Sequence, residues 1–297
     1  MEPGTVVLDG GLSTVLEQQG ADLGGALWTA RLLAEEPQRI AEAHRAYFRA
    51  GARVATTASY QASLEGLRAA GYDDQDARRL VALSVQIARE VRDELEVPGL
   101  LVAASVGPYG AFLADGSEYT GRYGVSAARL RDFHGPRLEL LAAAGPDLLA
   151  VETIPDLEEA EVLVELLDDL ALAAWFSYSV RGETTSAGQP LSEAYDALAG
   201  CRALVAAGVN CSEQSDVLGA LIRAAEGTGL PGVAYPNRGG TWDSVTKRWV
   251  YGEPLDLDLV DTWLDAGVAY VGGCCGTGPE DVTAIAERVS RHDSPQA

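Results

Sequence analysis

Short runs of β-branched and other apolar residues recur along the whole chain. They fall at Val6–Leu8, Arg53–Ser59, Leu100–Val106, Leu148–Val151, Ala174–Val180, Ala203–Val209, Gly232–Tyr235 and Val268–Gly272. Each is nearly continuous in apolar character rather than alternating, the pattern of strands covered on both faces. Helical patterns separate them. Pro37–Ala50 starts on proline and is followed by Gly51, the asymmetry expected of helix termini. Asp73–Leu95 repeats apolar residues at Leu80, Leu83, Ile87 and Val91, a period of about 3.6. Pro155–Leu170, Glu213–Glu226, Asp256–Ala266 and Pro279–Val289 are further predicted helices, while Tyr109–Tyr123 and Gly239–Trp249 read as long loops. Strands alternating with helices imply a parallel sheet covered by helices. Eight of them in a chain of 297 residues favour a (β/α)8 barrel, with a doubly wound open sheet as the alternative.

Composition narrows the class. Hydrophobic residues make up 47% and charged residues 22% of the chain, enough for a sizeable core. No linker, low-complexity tract or charge block marks a boundary, so a single domain spanning residues 1–297 is expected. The 44 acidic against 22 basic side chains give a net charge of −22, a field that repels nucleic acid and anionic membranes. No apolar run reaches the roughly 18 residues of a spanning helix. Met1-Glu2-Pro3-Gly4 has no basic n-region, and a cytoplasmic protein is expected.

In such a barrel, chemistry sits at the C-terminal ends of the strands. Asp9-Gly10-Gly11, Thr57–Gln61, Gly107-Pro108-Tyr109, Glu152-Thr153, Asn210-Cys211 and Gly273–Gly276 fall there. Three of the four cysteines, Cys211, Cys274 and Cys275, lie at strand ends, and Cys201 does not. Three thiolates suit Zn²⁺ and leave its fourth position open to a substrate. The alternative is that they are small buried apolar side chains. A Rossmann reading fails, because no Gly-x-Gly-x-x-Gly follows the first strand.

These residues also carry a resemblance. Gly272-Gly273-Cys274-Cys275-Gly276-Thr277 and Val209-Asn210-Cys211 resemble the zinc-dependent homocysteine S-methyltransferases. So do Leu8–Thr14, Leu27-Trp28, Thr57–Gln61, Ser105–Gly110, Ala114–Tyr119, Val151–Thr153 and Tyr235-Pro236-Asn237, in order along nearly the whole chain. Gly276-Thr277-Gly278-Pro279 departs from the pattern, since relatives usually have a bulkier residue at one of the two glycine positions. The resemblance implies a barrel enzyme with zinc on Cys211, Cys274 and Cys275. It would transfer a methyl group to homocysteine and release methionine. Tyr109–Tyr119 resembles the branch using S-methylmethionine or S-adenosylmethionine. The alternatives are a betaine-using or other thiol methyltransferase, or a barrel that binds zinc or thiols without catalysis.

The resemblance further implies that Asp9 and Glu152 accept hydrogen bonds from the α-ammonium of homocysteine. Their bland roles would be a turn residue and a charge ahead of a helix. Gly10 permits close backbone approach to a ligand, or simply a tight turn. Gln61 and Asn210 are placed for substrate contact, with a loop hydrogen bond and a helix cap as their alternatives. A sulfonium is a cation that hydrogen-bonds poorly, so the faces of Trp28, Tyr60 and Tyr109 are candidate methyl-donor contacts, against core packing. No protein general base is required, and His44, His134 and His292 read as structural or surface residues.

Overall fold

The computed structural model describes residues 4–24, 28–239, 241–243, 248–250 and 254–294. The side chains of Trp28, Ala30 and residues 241–250 lie outside that description, as does Leu27. Eight parallel strands form the central sheet: β1 (Val6–Val7), β2 (Val54–Thr56), β3 (Leu101–Val106), β4 (Leu148–Ile154), β5 (Ala174–Tyr178), β6 (Leu204–Asn210), β7 (Gly232–Tyr235) and β8 (Val268–Val271). From β2 to β8 each pairs with its sequence neighbour, and β8 pairs with β1. The ring closes where Leu8 bridges Val54 in parallel and the Arg53 N–H donates to the Val7 carbonyl at 2.7 Å. This is the expected barrel rather than an open sheet.

Helices on the outside bury one face each. Asp74–Leu95 turns Ala77, Leu80, Val81, Ile87, Ala88 and Val91 inward. Its Asp73 cap accepts from the Asp76 N–H at 2.8 Å, satisfying a donor the helix leaves open. Inside the ring, Trp175, Tyr235 and Tyr270 meet small residues, Ala103, Ala150 and Ala206, and fill the barrel. The Trp175 indole N–H donates to the Tyr235 hydroxyl at 2.8 Å, so this aromatic plug is also polar-satisfied.

Differences from the expected elements have local causes. Tyr109–Tyr123 is no continuous loop: it holds a helical turn at Tyr109–Leu113 and a 3-10 turn at Ser117–Tyr119. Gly239–Trp249 contributes Thr241–Asp243, paired antiparallel with Arg248–Val250, while residues 240 and 244–247 are outside the described residues. Ala127–Ala143 is a long helix with Pro136 inside it, where a sequence pattern reads as broken. Among the described residues, no helix is long and apolar enough to cross a membrane.

Candidate functional site

The C-terminal ends of the strands surround one cavity of about 890 Å³. Its floor is the aromatic plug, through Tyr235, and its walls are the segments that follow β1 to β4, β6 and β8.

One wall is sulfur. The Sγ atoms of Cys211, Cys274 and Cys275 lie within 4.8 Å of one another, with Cys211 and Cys275 at 3.8 Å. A tetrahedral centre with zinc–sulfur bonds of about 2.3 Å has an edge of about 3.8 Å, so this donor set fits zinc. The thiols are positioned by backbone contacts. The Cys211 N–H donates to the Tyr235 carbonyl at 3.2 Å, and the Cys274 N–H to the Pro236 carbonyl at 2.8 Å. The Cys275 N–H donates to Asn237 Oδ1 at 3.2 Å. Gly276 turns with φ +83°, a left-handed conformation that favours glycine, and its N–H reaches Thr14 Oγ1 at 3.0 Å. Hydrogen bonds from the Cys211 and Cys274 thiols hold Cys275 well below the ordinary thiol range, against the effect of burial. Cys201 is apart, its thiol 3.5 Å from Asp168 Oδ1 on the outer layer.

Gly10 lines the cavity and also makes room for this wall. A Cβ there would lie 2.5 Å from the Thr277 carbonyl. At Gly11 it would lie 2.6 Å from the Cys274 carbonyl. The first strand end is bare so that the cysteine loop can lie on it.

A second wall is acidic. Asp9 accepts from the Thr56 N–H at 2.6 Å and from Thr56 Oγ1 at 2.9 Å, which ties β1 to β2 across the seam. Burial pushes its pKa up to about 8, with the Glu152 charge adding and the Thr56 bonds opposing. Glu152 belongs to β4, whose end extends further than its apolar run suggests. Ser105 Oγ donates to its carboxylate. Burial raises Glu152 to about 7, hydrogen bonds with Ser105 and Tyr235 oppose this, and the Cys211 charge adds to it. It is not a helix-start charge: Asp156 caps the next helix, accepting from the Glu158 N–H at 3.0 Å.

Asn210 neither caps a helix nor keeps a free amide. Its Oδ1 accepts from the Thr153 N–H at 2.6 Å and its Nδ2 donates to Thr153 Oγ1 at 2.8 Å. The clamp ties Thr153, held at left-handed φ of +61°, to the residue just before Cys211, itself held at +49°. Such backbone is strained for residues with a side chain, and it concentrates at functional sites. Tyr60 lines the cavity, bonds Thr153 through its hydroxyl, and packs its ring where a Cβ on Gly107 would be only 2.7 Å away. Gln61 lines the cavity as well, and Oε1 also accepts from Thr29 Oγ1 at 3.4 Å, so its loop bond is real.

Tyr109 does not reach the cavity, which corrects its placement as a donor contact. It is buried in a separate aromatic cluster with Phe112, Tyr123 and Phe133, beneath the Arg129 guanidinium. The Trp28 side chain lies outside the described residues; its backbone opens the helix Trp28–Glu35. His44 and His134 are fully buried, His134 Nε2 lying 2.8 Å from Glu159 Oε1, and His292 is on the surface at a helix end.

Four contributors carried no assigned role in the sequence. Tyr235 and Ser105 brace Glu152. The Tyr119 hydroxyl lies 3.4 Å from Cys211 Sγ. Arg137, 1% exposed, donates to the carbonyls of Gly107 (3.0 Å), Ser59 and Tyr60 (both 2.8 Å), and so fixes the ends of β2 and β3. Tyr235 and Tyr119 stood within recognisable motifs, whereas nothing around Arg137 signals that its partners are carbonyls.

The homocysteine S-methyltransferase family model matches residues 6–289. A homocysteine S-methyltransferase of Escherichia coli (strain K12) is 44% identical over 293 residues, covering 95% of this chain and 94% of that one. Homocysteine S-methyltransferase YbgG of Bacillus subtilis (strain 168) is 42% identical, covering 95% of this chain and 93% of its own. The crystal structure of the homocysteine methyltransferase MmuM from Escherichia coli in its metallated form superposes with a TM-score of 0.87 at 41% identity, over 97% of both chains.

Proposed function

The chain belongs to the homocysteine S-methyltransferase family, and from that premise we propose that this enzyme takes the methyl group of a sulfonium, S-methylmethionine in preference to S-adenosylmethionine, onto homocysteine at a zinc site. The observation that carries this reading is the triad of sulfurs and the two buried carboxylates that line one cavity. A store for metal needs no such acids. The whole chain, residues 1–297, would act as one barrel domain, with neither nucleic acid nor membrane as partner.

Cys211, Cys274 and Cys275 would hold the zinc. When bound, it supplies a Lewis-acid position that deprotonates a thiol, whose free pKa is about 8.5, and keeps it nucleophilic. Asp9 and Glu152 would receive the α-ammonium of homocysteine as ionised acceptors, a cation being the group that makes ionisation of two neighbouring buried acids favourable. Ser105 and Tyr235 orient Glu152, and Thr56 orients Asp9. The Asn210–Thr153 clamp fixes the backbone that presents Cys211, so Asn210 acts by positioning. Gly10 gives the cysteine loop its room, and Gln61 borders the substrate. The homocysteine sulfur forms the new bond to the methyl carbon as the old carbon–sulfur bond breaks. The electron pair of that bond passes to the donor sulfur, which leaves as a neutral thioether and needs no proton. Trp28 and Tyr60 are proposed as the aromatic faces for the donor.

The test is a panel of S-methylmethionine, S-adenosylmethionine and betaine with homocysteine, read by product mass before and after chelation. Turnover with the sulfoniums, abolished by chelation and restored by Zn²⁺, is expected. Robust turnover with betaine overturns the donor assignment.

A further inference from the structure

The ionisable side chains lining the cavity share one sign. Asp9, Glu17, Asp22, Glu118 and Glu152 line it together with the three cysteines, and no lysine, arginine or histidine does so among the described residues. The sulfurs suit a metal, and Asp9 and Glu152 suit an ammonium. Glu17 and Asp22 are exposed, which leaves Glu118.

Glu118 stands in the 3-10 turn Ser117–Tyr119. Its Oε2 is buried with no hydrogen-bond partner among the described residues. An unsatisfied buried carboxylate oxygen is costly and calls for a partner. The groups acting on this carboxyl include the Cys211 charge, the Asp115 charge and the backbone N–H groups of Gly116 and Glu118, with no cationic side chain among them. The turn itself is firmly set. The Ser117 N–H donates to Asp115 Oδ1 at 3.0 Å, the Tyr119 hydroxyl lies 3.4 Å from Cys211 Sγ, and a Cβ on Gly110 would collide with the Glu118 backbone nitrogen. Glu118 is therefore presented into the cavity on the same short turn that touches the metal-binding wall.

We infer that Glu118 is the counter-ion of the methyl donor's sulfonium, a specificity-determining residue that rests on the donor class proposed above. A second metal is a poorer occupant, because hard divalent cations collect several oxygen ligands, and Glu118 is the one lining carboxylate that is both part-buried and without a role. A sulfonium makes no conventional hydrogen bonds and needs only a nearby negative charge. The chemistry also gives the pairing a direction. Methyl transfer removes the donor's positive charge, so the same carboxylate that attracts the donor has no charge to hold in the departing thioether. Because the charge is already dispersing in the transition state, Glu118 acts mainly on the bound donor.

The experiment compares Glu118→Gln and Glu118→Asp with the wild-type holoenzyme. Trimethylsulfonium is titrated calorimetrically as a probe that carries the sulfonium charge without amino-acid groups. Glu118→Gln is expected to weaken trimethylsulfonium and to raise the KM for S-methylmethionine by about tenfold or more, the scale of a lost charged contact. Metal content, homocysteine KM and kcat should change little, and Glu118→Asp should recover part of the loss. Equal trimethylsulfonium affinity in wild type and Glu118→Gln, or no binding to either, overturns the assignment. So does a homocysteine KM that rises in step with the donor's. Failure of the donor reading looks different: the wild type would bind trimethylsulfonium in a Glu118-dependent manner and still leave homocysteine unmethylated.

Discussion

The two walls of the cavity are built in opposite ways. The sulfur wall is held by its backbone: N–H groups of Cys211, Cys274, Cys275 and Gly276 all find acceptors, and the thiols are left facing one another. The acidic wall is held by side chains, with Thr56 on Asp9, Ser105 on Glu152 and Asn210 on Thr153. A backbone frame leaves the sulfurs turned toward one another for a metal, with the Tyr119 hydroxyl the one non-cysteine side chain hydrogen-bonded to them among the described residues. A side-chain frame consumes part of each carboxylate and aims what remains. The difference teaches that metal affinity and substrate affinity can be changed separately here.

The largest expected effect breaks the sulfur wall. Cys211→Ser, Cys274→Ser and Cys275→Ser should each lose bound zinc, measured by elemental analysis of reduced protein, and should lose activity by more than the 10–100-fold typical of a disturbed hydrogen-bond partner. One of them retaining full zinc removes that residue from the site. On the acidic wall, Glu152→Gln should keep zinc while homocysteine binding weakens by about 1.5–3 kcal/mol, the scale of a charged hydrogen bond, read by calorimetry. Unchanged affinity would separate Glu152 from the substrate.

The acids also set a pH dependence. An ammonium is held best when Asp9 and Glu152 are ionised, so homocysteine affinity should rise with pH through their values of about 8 and about 7. Stability runs the other way. Glu152 binds its proton more tightly in the fold than its ordinary value of 4.5 allows. Between that value and about 7 the folded state holds more protons than the unfolded one, and stability falls as pH rises. Glu152→Gln should therefore raise the Tm above pH 7, by up to about 3 kcal/mol of stability at 1.36 kcal/mol per pKa unit. A Tm that drops in that variant contradicts the burial penalty. The smallest effects are the controls. Cys201→Ser should leave metal content unchanged, and Tyr109→Phe should leave the donor KM unchanged within error, since neither residue reaches the cavity.

The sulfur wall was legible in the sequence because its information is local. Adjacent Cys274 and Cys275 sit among glycines with close steric reasons: a Cβ on Gly272 would strike Leu8 and the Asp9 carbonyl, one on Gly273 would strike Thr277, and Gly276 turns at left-handed φ. The eight strands were legible because strands covered on both faces read as apolar runs. The acidic wall was legible only in its endpoints. Asn210 and Thr153 are 57 positions apart, and no pattern in either segment shows that their side chains interlock. Arg137 follows a proline inside a helix and bonds only carbonyls, so charge pairing gives no clue to it. Tyr109 was misplaced because an aromatic residue in a recognisable motif looks the same whether it faces a ligand or packs beneath the loop.

The seam of the barrel carries one more implication. β1 is only two residues long, and the ring is completed by the Leu8–Val54 bridge and by Asp9 gripping Thr56. The same carboxylate faces the cavity. Opening of the ring at this place and loss of grip on a ligand are then one motion, and the Thr56 amide sits at its hinge. Its hydrogen exchange should slow when homocysteine is bound, by more than that of amides on the far side of the barrel such as those of β5, so that a single backbone proton reports whether the cavity is filled.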